Sequence, residues 1–142
     1  MLPRRAMLLT LPAMLLMAPV AGRAASPGDQ VKDAYAAWDG VFNKGDAKAL
    51  AALYADDAIV LPPSHDVVRG PAEIEKFFAA LFANGVTGHH LELIEANGSG
   101  DVIVSSAKWS ARTKDAPIGG LATHEFEKQA NGGLKLRLHT FN

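Results

Sequence analysis

Apolar residues follow a helical period through the first half of the chain and a period of two from about residue 87 onward, and this change of rhythm limits the fold more than any other feature. Val31, Tyr35, Trp38 and Phe42 recur at spacings of four, three and four, which is one face of an amphipathic helix. Ser26 is placed to cap that helix, Pro27 suits its first position and Asp29 sits in its first turn. NKGD stops it and starts another, with Gly45 taking the left-handed cap and Asp46 capping the next helix. In this second helix Leu50, Leu53 and Tyr54 form the stripe. Asp56 and Asp57 end it, and Asp57 is expected to bond backbone amides at the corner. AIVLPP reads as a brief strand stopped by Pro62 and Pro63. SHDVVRG then supplies a turn and a short second strand, and Arg69-Gly70 a turn before the third helix. That helix, opening at Gly70-Pro71, carries Ile74, Phe77, Phe78, Leu81 and Phe82 on a wide apolar face and stops at Gly85.

Four strands follow, near residues 87–96, 101–113, 121–129 and 134–141. ANGSG and ANGG supply hairpin turns, and TKDAPIGG reads as a longer connection. Helices first and an antiparallel meander second is a segregated α+β arrangement. Three amphipathic helices must cover one face of a strongly curved, mostly antiparallel sheet, and a sheet bent in that way leaves a cone-shaped cavity.

Ahead of this domain lie Arg4 and Arg5, an apolar run from Ala6 to Val20 and the small-residue segment AGRAA, the three zones of a secretory signal. Gly22 and Ala24 suit a cut after Ala24, so residues 1–24 are expected to be a cleavable signal and 25–142 a single domain. The run is shorter than the roughly 20 residues of a membrane span and is interrupted by Pro12 and Pro19, so no stable membrane anchor is expected after cleavage. The destination is the periplasm or the exterior, by the general secretory or the twin-arginine route. The leader holds three of the 14 basic residues and none of the 15 acidic ones, which leaves the domain at −4 with scattered lysines. That balance argues against a nucleic-acid partner. The chain has no cysteine, hence no disulfide and no thiolate metal site.

The run WDGVFNKGDAKALAALYADDAIVLPP, followed by VVRGPAEIEKFF and closed by LHTFN, resembles the SnoaL-like branch of the nuclear transport factor 2-like superfamily, which includes ketosteroid isomerase and small polyketide cyclases. The resemblance spans essentially the whole domain and implies the cone-shaped fold. The fold hosts isomerases, cyclases, dehydratases and non-catalytic binding modules, so it does not choose among them. Carried over residue by residue, the isomerase site has Pro62 at the general base, Trp38 at the oxyanion-hole tyrosine, a position near His124 at the second donor, and Phe78 at a supporting tyrosine. Proline cannot move a proton. Classical ketosteroid isomerase activity is therefore not expected.

His124 and His139 lie on the last two strands, where the resembling proteins line the cavity, and are the candidate acid–base groups. Leu134, Leu136 and Leu138 mark the apolar face of the last strand, so strict alternation turns His139 away unless a bulge intervenes. His89 and His90, being neighbours on a strand, point to opposite faces, so at most one enters the cavity. His65, beside Asp66, reads as solvated, and no metal-ligand spacing occurs; neither a metal nor a cofactor is expected. Trp38, Tyr54, Phe78 and Trp109 are the candidate ligand-pocket residues. Three of them, Trp38, Tyr54 and Trp109, have a polar tip to orient a flat molecule. The expected partner is a small apolar or aromatic ligand. The other function considered is a homodimeric, non-catalytic assembly module that uses Lys135, Arg137, His139 and Phe141 on an outer sheet face.

Overall fold

The computed structural model describes residues 22–142, so the expected leader falls largely on residues 1–21, outside the described residues. The elements run α1 (Pro27–Phe42), α2 (Ala47–Ala51), β1 (Tyr54–Leu61), β2 (Val68–Arg69), α3 (Gly70–Ala83), β3 (Thr87–Ser99), β4 (Val102–Arg112), β5 (Pro117–Lys128) and β6 (Leu134–Phe141). They form an α+β fold with three helices packed on one curled, mostly antiparallel six-stranded sheet of order β2-β1-β6-β5-β4-β3. Strands β3 to β6 are the expected meander. β1 adds to β6 in parallel and pairs with β2 in an antiparallel hairpin. Among the described residues no helix is long and apolar enough to cross a membrane.

α1 starts where its capping chemistry predicts, with Ser26 Oγ accepting from the Asp29 amide at 3.2 Å. Val31, Tyr35, Trp38 and Phe42 are its buried face. Gly45, at φ 69°, turns the chain out of α1, and Asp46 accepts from the Ala49 amide at 2.9 Å to open α2. α3 buries Ile74 and Phe78 fully and leaves Phe77, Leu81 and Phe82 half-buried.

Three elements differ from expectation. Tyr54 does not extend α2, which ends at Ala51; Tyr54 begins β1, opposite Leu136 of β6, while the Leu53 carbonyl accepts from the Leu136 amide at 3.0 Å. Strand pairing and a fully buried ring outweigh the helical preference of so short a segment. Asp56 and Asp57 therefore lie within β1, and the exposed Asp57 carboxylate stands 3.8 Å from Arg137 rather than on backbone amides. Ile118, Gly119 and Gly120 belong to β5, not to a loop. The glycine pair permits close backbone approach: a Cβ on Gly119 would stand 2.6 Å from the Trp109 carbonyl oxygen, and one on Gly120 would run into the Asn142 carbonyl. Finally, β3 continues through the Asn97–Ser99 part of ANGSG, and the hairpin turns at Gly100 and Asp101.

Strand register decides which side chains enter the interior, and a bulge on β6 and another at the start of β3 border the histidines concerned. On β6, Leu136 pairs with Phe126 and Leu138 with Glu125, so Arg137 is an extra residue. Leu136 and His139 then both point inward, as the bulge alternative required. The outward set becomes Leu138 and Thr140, so the expected face of Lys135, Arg137, His139 and Phe141 does not exist as one surface. On β3, Thr87 pairs with Arg112 and His90 with Ser110, which inserts one residue where Gly88 adopts φ 63°. From His90 to Leu93 the register is regular, so His89 keeps step with the inward Leu91 and Leu93 while His90 faces out, their side chains being 10% and 71% exposed.

Candidate functional site

Between α1, α3 and the inner sheet face lies a cavity of about 310 Å³. Its wall is almost wholly apolar, with Trp38, Phe42, Phe77, Phe78, Trp109 and Phe141 supplying the aromatic surface. Pro62, Pro63 and Ser64 also line it, and among the described residues His89 and His139 are its ionisable side chains. Among the described residues no lysine or arginine lines it. Four of the six candidate residues thus line this space: Trp38, Phe78, Trp109 and His139. Tyr54 and His124 stand behind it.

The expected polar tips do not point into the cavity. Trp38 Nε1 donates to the Tyr54 hydroxyl at 3.1 Å, and Trp109 Nε1 donates to the Asn142 carbonyl at 3.1 Å. Both indoles offer ring faces to a ligand and keep their N–H groups for the protein.

The Tyr54 hydroxyl also meets His139 Nδ1 at 2.9 Å, and this fixes a direction. Indole is a donor only, so the phenolic oxygen accepts from Trp38 and its one hydrogen is free to donate to His139 Nδ1. Any other assignment leaves a fully buried hydroxyl hydrogen without a partner. His139 Nδ1 is then the unprotonated nitrogen. In the neutral ring the proton sits on Nε2. Burial holds the His139 pKa well below the usual histidine value, and the charges that His124 and His89 would carry lower it further. His139 is therefore a neutral ring with an N–H donor on its second nitrogen. Burial likewise raises the Tyr54 pKa far above its ordinary value, so the phenol keeps its proton.

His89 has the opposite polarity. Its Nδ1 lies 2.7 Å from Asp39 Oδ1, and a carboxylate only accepts, so Nδ1 carries a proton, and whenever the ring is neutral its acceptor is Nε2. Asp39 Oδ2 accepts from the Leu91 amide at 2.9 Å. One turn later on α1, Asn43 exchanges two hydrogen bonds with the His89 backbone, at 2.7 and 2.9 Å. Asp39 and Asn43, four residues apart on one helix face, thus clamp the bulged start of β3. The His89 ring packs against Trp38 and Phe42 at centroid distances of 4.7 and 4.8 Å and parallel to Trp109 at 6.0 Å.

His124 points inward but lies deeper, 1% exposed, with its ring centroid 4.6 Å from that of His139. Its Nδ1 is 2.9 Å from the Tyr35 hydroxyl, which is 2.7 Å from Ser105 Oγ. Burial first, and the charge of His89 second, lower the His124 pKa to about 3, although Asp39 opposes this. Burial also raises the Tyr35 phenol to about 12, against the Ser105 hydrogen bond. Among the described residues no three His, Asp or Glu side chains converge as metal ligands would.

Residues 31–134 match the family described as the SnoaL-like domain. The chain belongs to the SnoaL-like family. The resemblance carried by NKGD, YADDA and the C-terminal hairpin is borne out. Solved structures agree on the fold of this SnoaL-like domain. A nuclear transport factor 2-like protein with a cystatin-like fold from Novosphingobium aromaticivorans superposes with a TM-score of 0.68 at 17% identity, covering 81% of this chain and 80% of that one. A ketosteroid isomerase-like protein from Erwinia carotovora atroseptica gives 0.65 at 18% identity, covering 79% and 92%. ActVI-ORFA from Streptomyces coelicolor gives 0.67 at 18% identity, covering 80% and 93%. At these identities the likeness concerns the fold. No curated protein is similar enough in sequence to count as a relative.

Sequence reasoning missed Asp39, which looks like an ordinary solvent-side helical acid, and left open which of His89 and His90 turns inward. The available signal was the alternation of His89 with Leu91 and Leu93, which places His89 on their face of the strand.

Proposed function

We propose that this chain is an exported SnoaL-like domain that binds a small, mostly apolar molecule in its cavity, with two histidines in the wall that give it a capacity for weak acid–base chemistry. The observation that carries the reading is a cavity of about 310 Å³, apolar apart from Ser64, His89 and His139 and flanked by aromatic faces. That size and lining suit a small uncharged ring system. An ion would enter without a compensating charge. Pro62 in the wall has no proton to exchange, so aspartate-based ketosteroid isomerisation is not part of the proposal. The zoned leader supports export. N-terminal sequencing of the protein recovered from the periplasm or medium should begin at Ala25, and an intact Met1 would remove that part.

Binding is tested with N-phenyl-1-naphthylamine, an uncharged dye that brightens in apolar surroundings. One dye per chain is expected, lost in Leu81→Trp, which fills the cavity from α3 while the far-UV circular dichroism stays unchanged. Undiminished binding to that variant would place the dye elsewhere and sink the reading. A homodimeric binding module is the second reading, supported by Val104 and Leu121, 45% and 53% exposed on the outer sheet face. A strictly monomeric sedimentation profile at high concentration would dismiss it.

A further inference from the structure

We infer that the cavity is polarised, with His89 as a proton acceptor backed by Asp39 and His139 as a fixed donor, and that it therefore takes an uncharged, phenol-type or enol-type hydroxyl compound in preference to a plain hydrocarbon or a carboxylate. This rests on the cavity-binding reading above and deepens it. The weakly acidic hydroxyl donates to His89 Nε2, and an oxygen of the ligand accepts from His139 Nε2–H.

The polarity is built from two independent hydrogen-bond sets. On one side Trp38 donates to Tyr54, leaving the Tyr54 hydrogen for His139 Nδ1, so the second nitrogen carries the proton. On the other, Asp39 claims the His89 Nδ1 hydrogen, so the tautomer of the neutral ring has its lone pair on the second nitrogen. Both rings pack on Trp38, with centroids 4.7 Å away for His89 and 5.8 Å for His139. They belong to one wall, on two strands from opposite parts of the sheet, and each is turned inward beside a bulge. A carboxylate would be a bare charge in an apolar space without a cation, and would meet the His89 lone pair with no hydrogen to share. A hydrocarbon would leave both ring nitrogens unsatisfied.

Asp39 is a positioning residue, and its geometry makes a sharp variant available. In Asp39→Asn the Leu91 amide still requires an acceptor, which claims the new side chain's oxygen and turns its NH₂ toward His89 Nδ1. That nitrogen must then accept, and the proton moves to Nε2. The cavity keeps its shape while one wall changes from acceptor to donor.

The probes are naphthalene, 2-naphthol and 2-naphthoate, which share one ring system, titrated into wild type, Asp39→Asn, His89→Gln and His139→Phe. Wild type should bind 2-naphthol about tenfold more tightly than naphthalene, the worth of one well-placed hydrogen bond, and 2-naphthoate most weakly. The bound naphthol should show a red-shifted absorption as its proton is shared with His89. Asp39→Asn should lose that preference and the red shift while binding naphthalene within about twofold of wild type, a difference too small for a lost hydrogen bond. His89→Gln and His139→Phe should lower naphthol affinity in the same selective way. Equal binding of naphthol and naphthalene by wild type, or an undiminished preference in Asp39→Asn, overturns the polarity while leaving the binding reading intact. Failure of naphthalene and naphthol alike to bind sinks both.

Discussion

The interior has a closed end, where side chains pack around a fully buried His124, and an open end, where His89 and His139 border the cavity, and the two ends use their inward-facing histidines differently. At the closed end His124 is sealed against Tyr35 and Ser105 and contributes nothing to the cavity wall. At the open end His139 and His89 each spend one ring nitrogen on the protein and border the cavity with the ring. Residue type and strand face are alike in all three. What separates a structural histidine from a candidate functional one here is access to the cavity, and what then separates donor from acceptor is the group held by the first nitrogen.

The most forceful way to break this comparison is at the closed end. Tyr35→Ala removes a buried aromatic ring together with the partner of both Ser105 and His124, and should cost about 3–5 kcal/mol in urea unfolding. A cost below about 1 kcal/mol would mean that the closed end is not a packed structural cluster.

A second test uses pH. Both His124 and His139 have folded-state pKa values below the ordinary histidine value, chiefly through burial. Below the unfolded value of about 6.5 the unfolded chain takes up protons that the folded chain refuses, so stability is full above that pH and falls as the pH drops. For His124 the loss continues down to its folded value of about 3. The slope is about 1.4 kcal/mol per pH unit for each such group. Urea midpoints between pH 7.5 and 5 should decline, and less steeply in His124→Gln. A flat profile would contradict neutral burial at either end.

A third, smaller effect separates relay from packing at the open end. Tyr54→Phe keeps the ring but strands Trp38 Nε1–H and His139 Nδ1, which should cost about 1–3 kcal/mol of stability in urea unfolding. A cost near zero would mean that the relay is dispensable to the fold.

The smallest effect on stability is expected from His89→Gln. His89 is kept in place by backbone bonds to Asn43 as well as by its own ring, so the change should cost about 1 kcal/mol or less in urea unfolding. A much larger loss would make His89 a structural residue like His124.

Much of the fold was legible in the sequence because helix faces and strand alternation survive local irregularity. The spacing of Val31, Tyr35, Trp38 and Phe42 names the buried face of α1, and the four strands of the meander appear in order. The candidate site was less legible, since it depends on register. One extra residue at Arg137 returns His139 to the interior, whereas His89 simply keeps step with the inward Leu91 and Leu93 that follow it on β3. Alternation has no memory across such an insertion. Asp39 escaped notice for another reason. An acid beside Trp38 on α1 looks like a solvent-side residue until the bulged start of β3 is laid across it. Tyr54 was placed in α2 because a short apolar run has no period of its own, and its partner Leu136 lies 82 residues away in sequence.

The polarity of the open end can be read directly from the histidine ring nitrogens by two-dimensional ¹⁵N–¹H correlation at neutral pH, with assignments from His89→Gln, His124→Gln and His139→Gln. The account predicts a proton on Nδ1 of His89 with Nε2 bare, and the reverse in His139. A proton on Nδ1 of His139, or on both nitrogens of its ring, would contradict it.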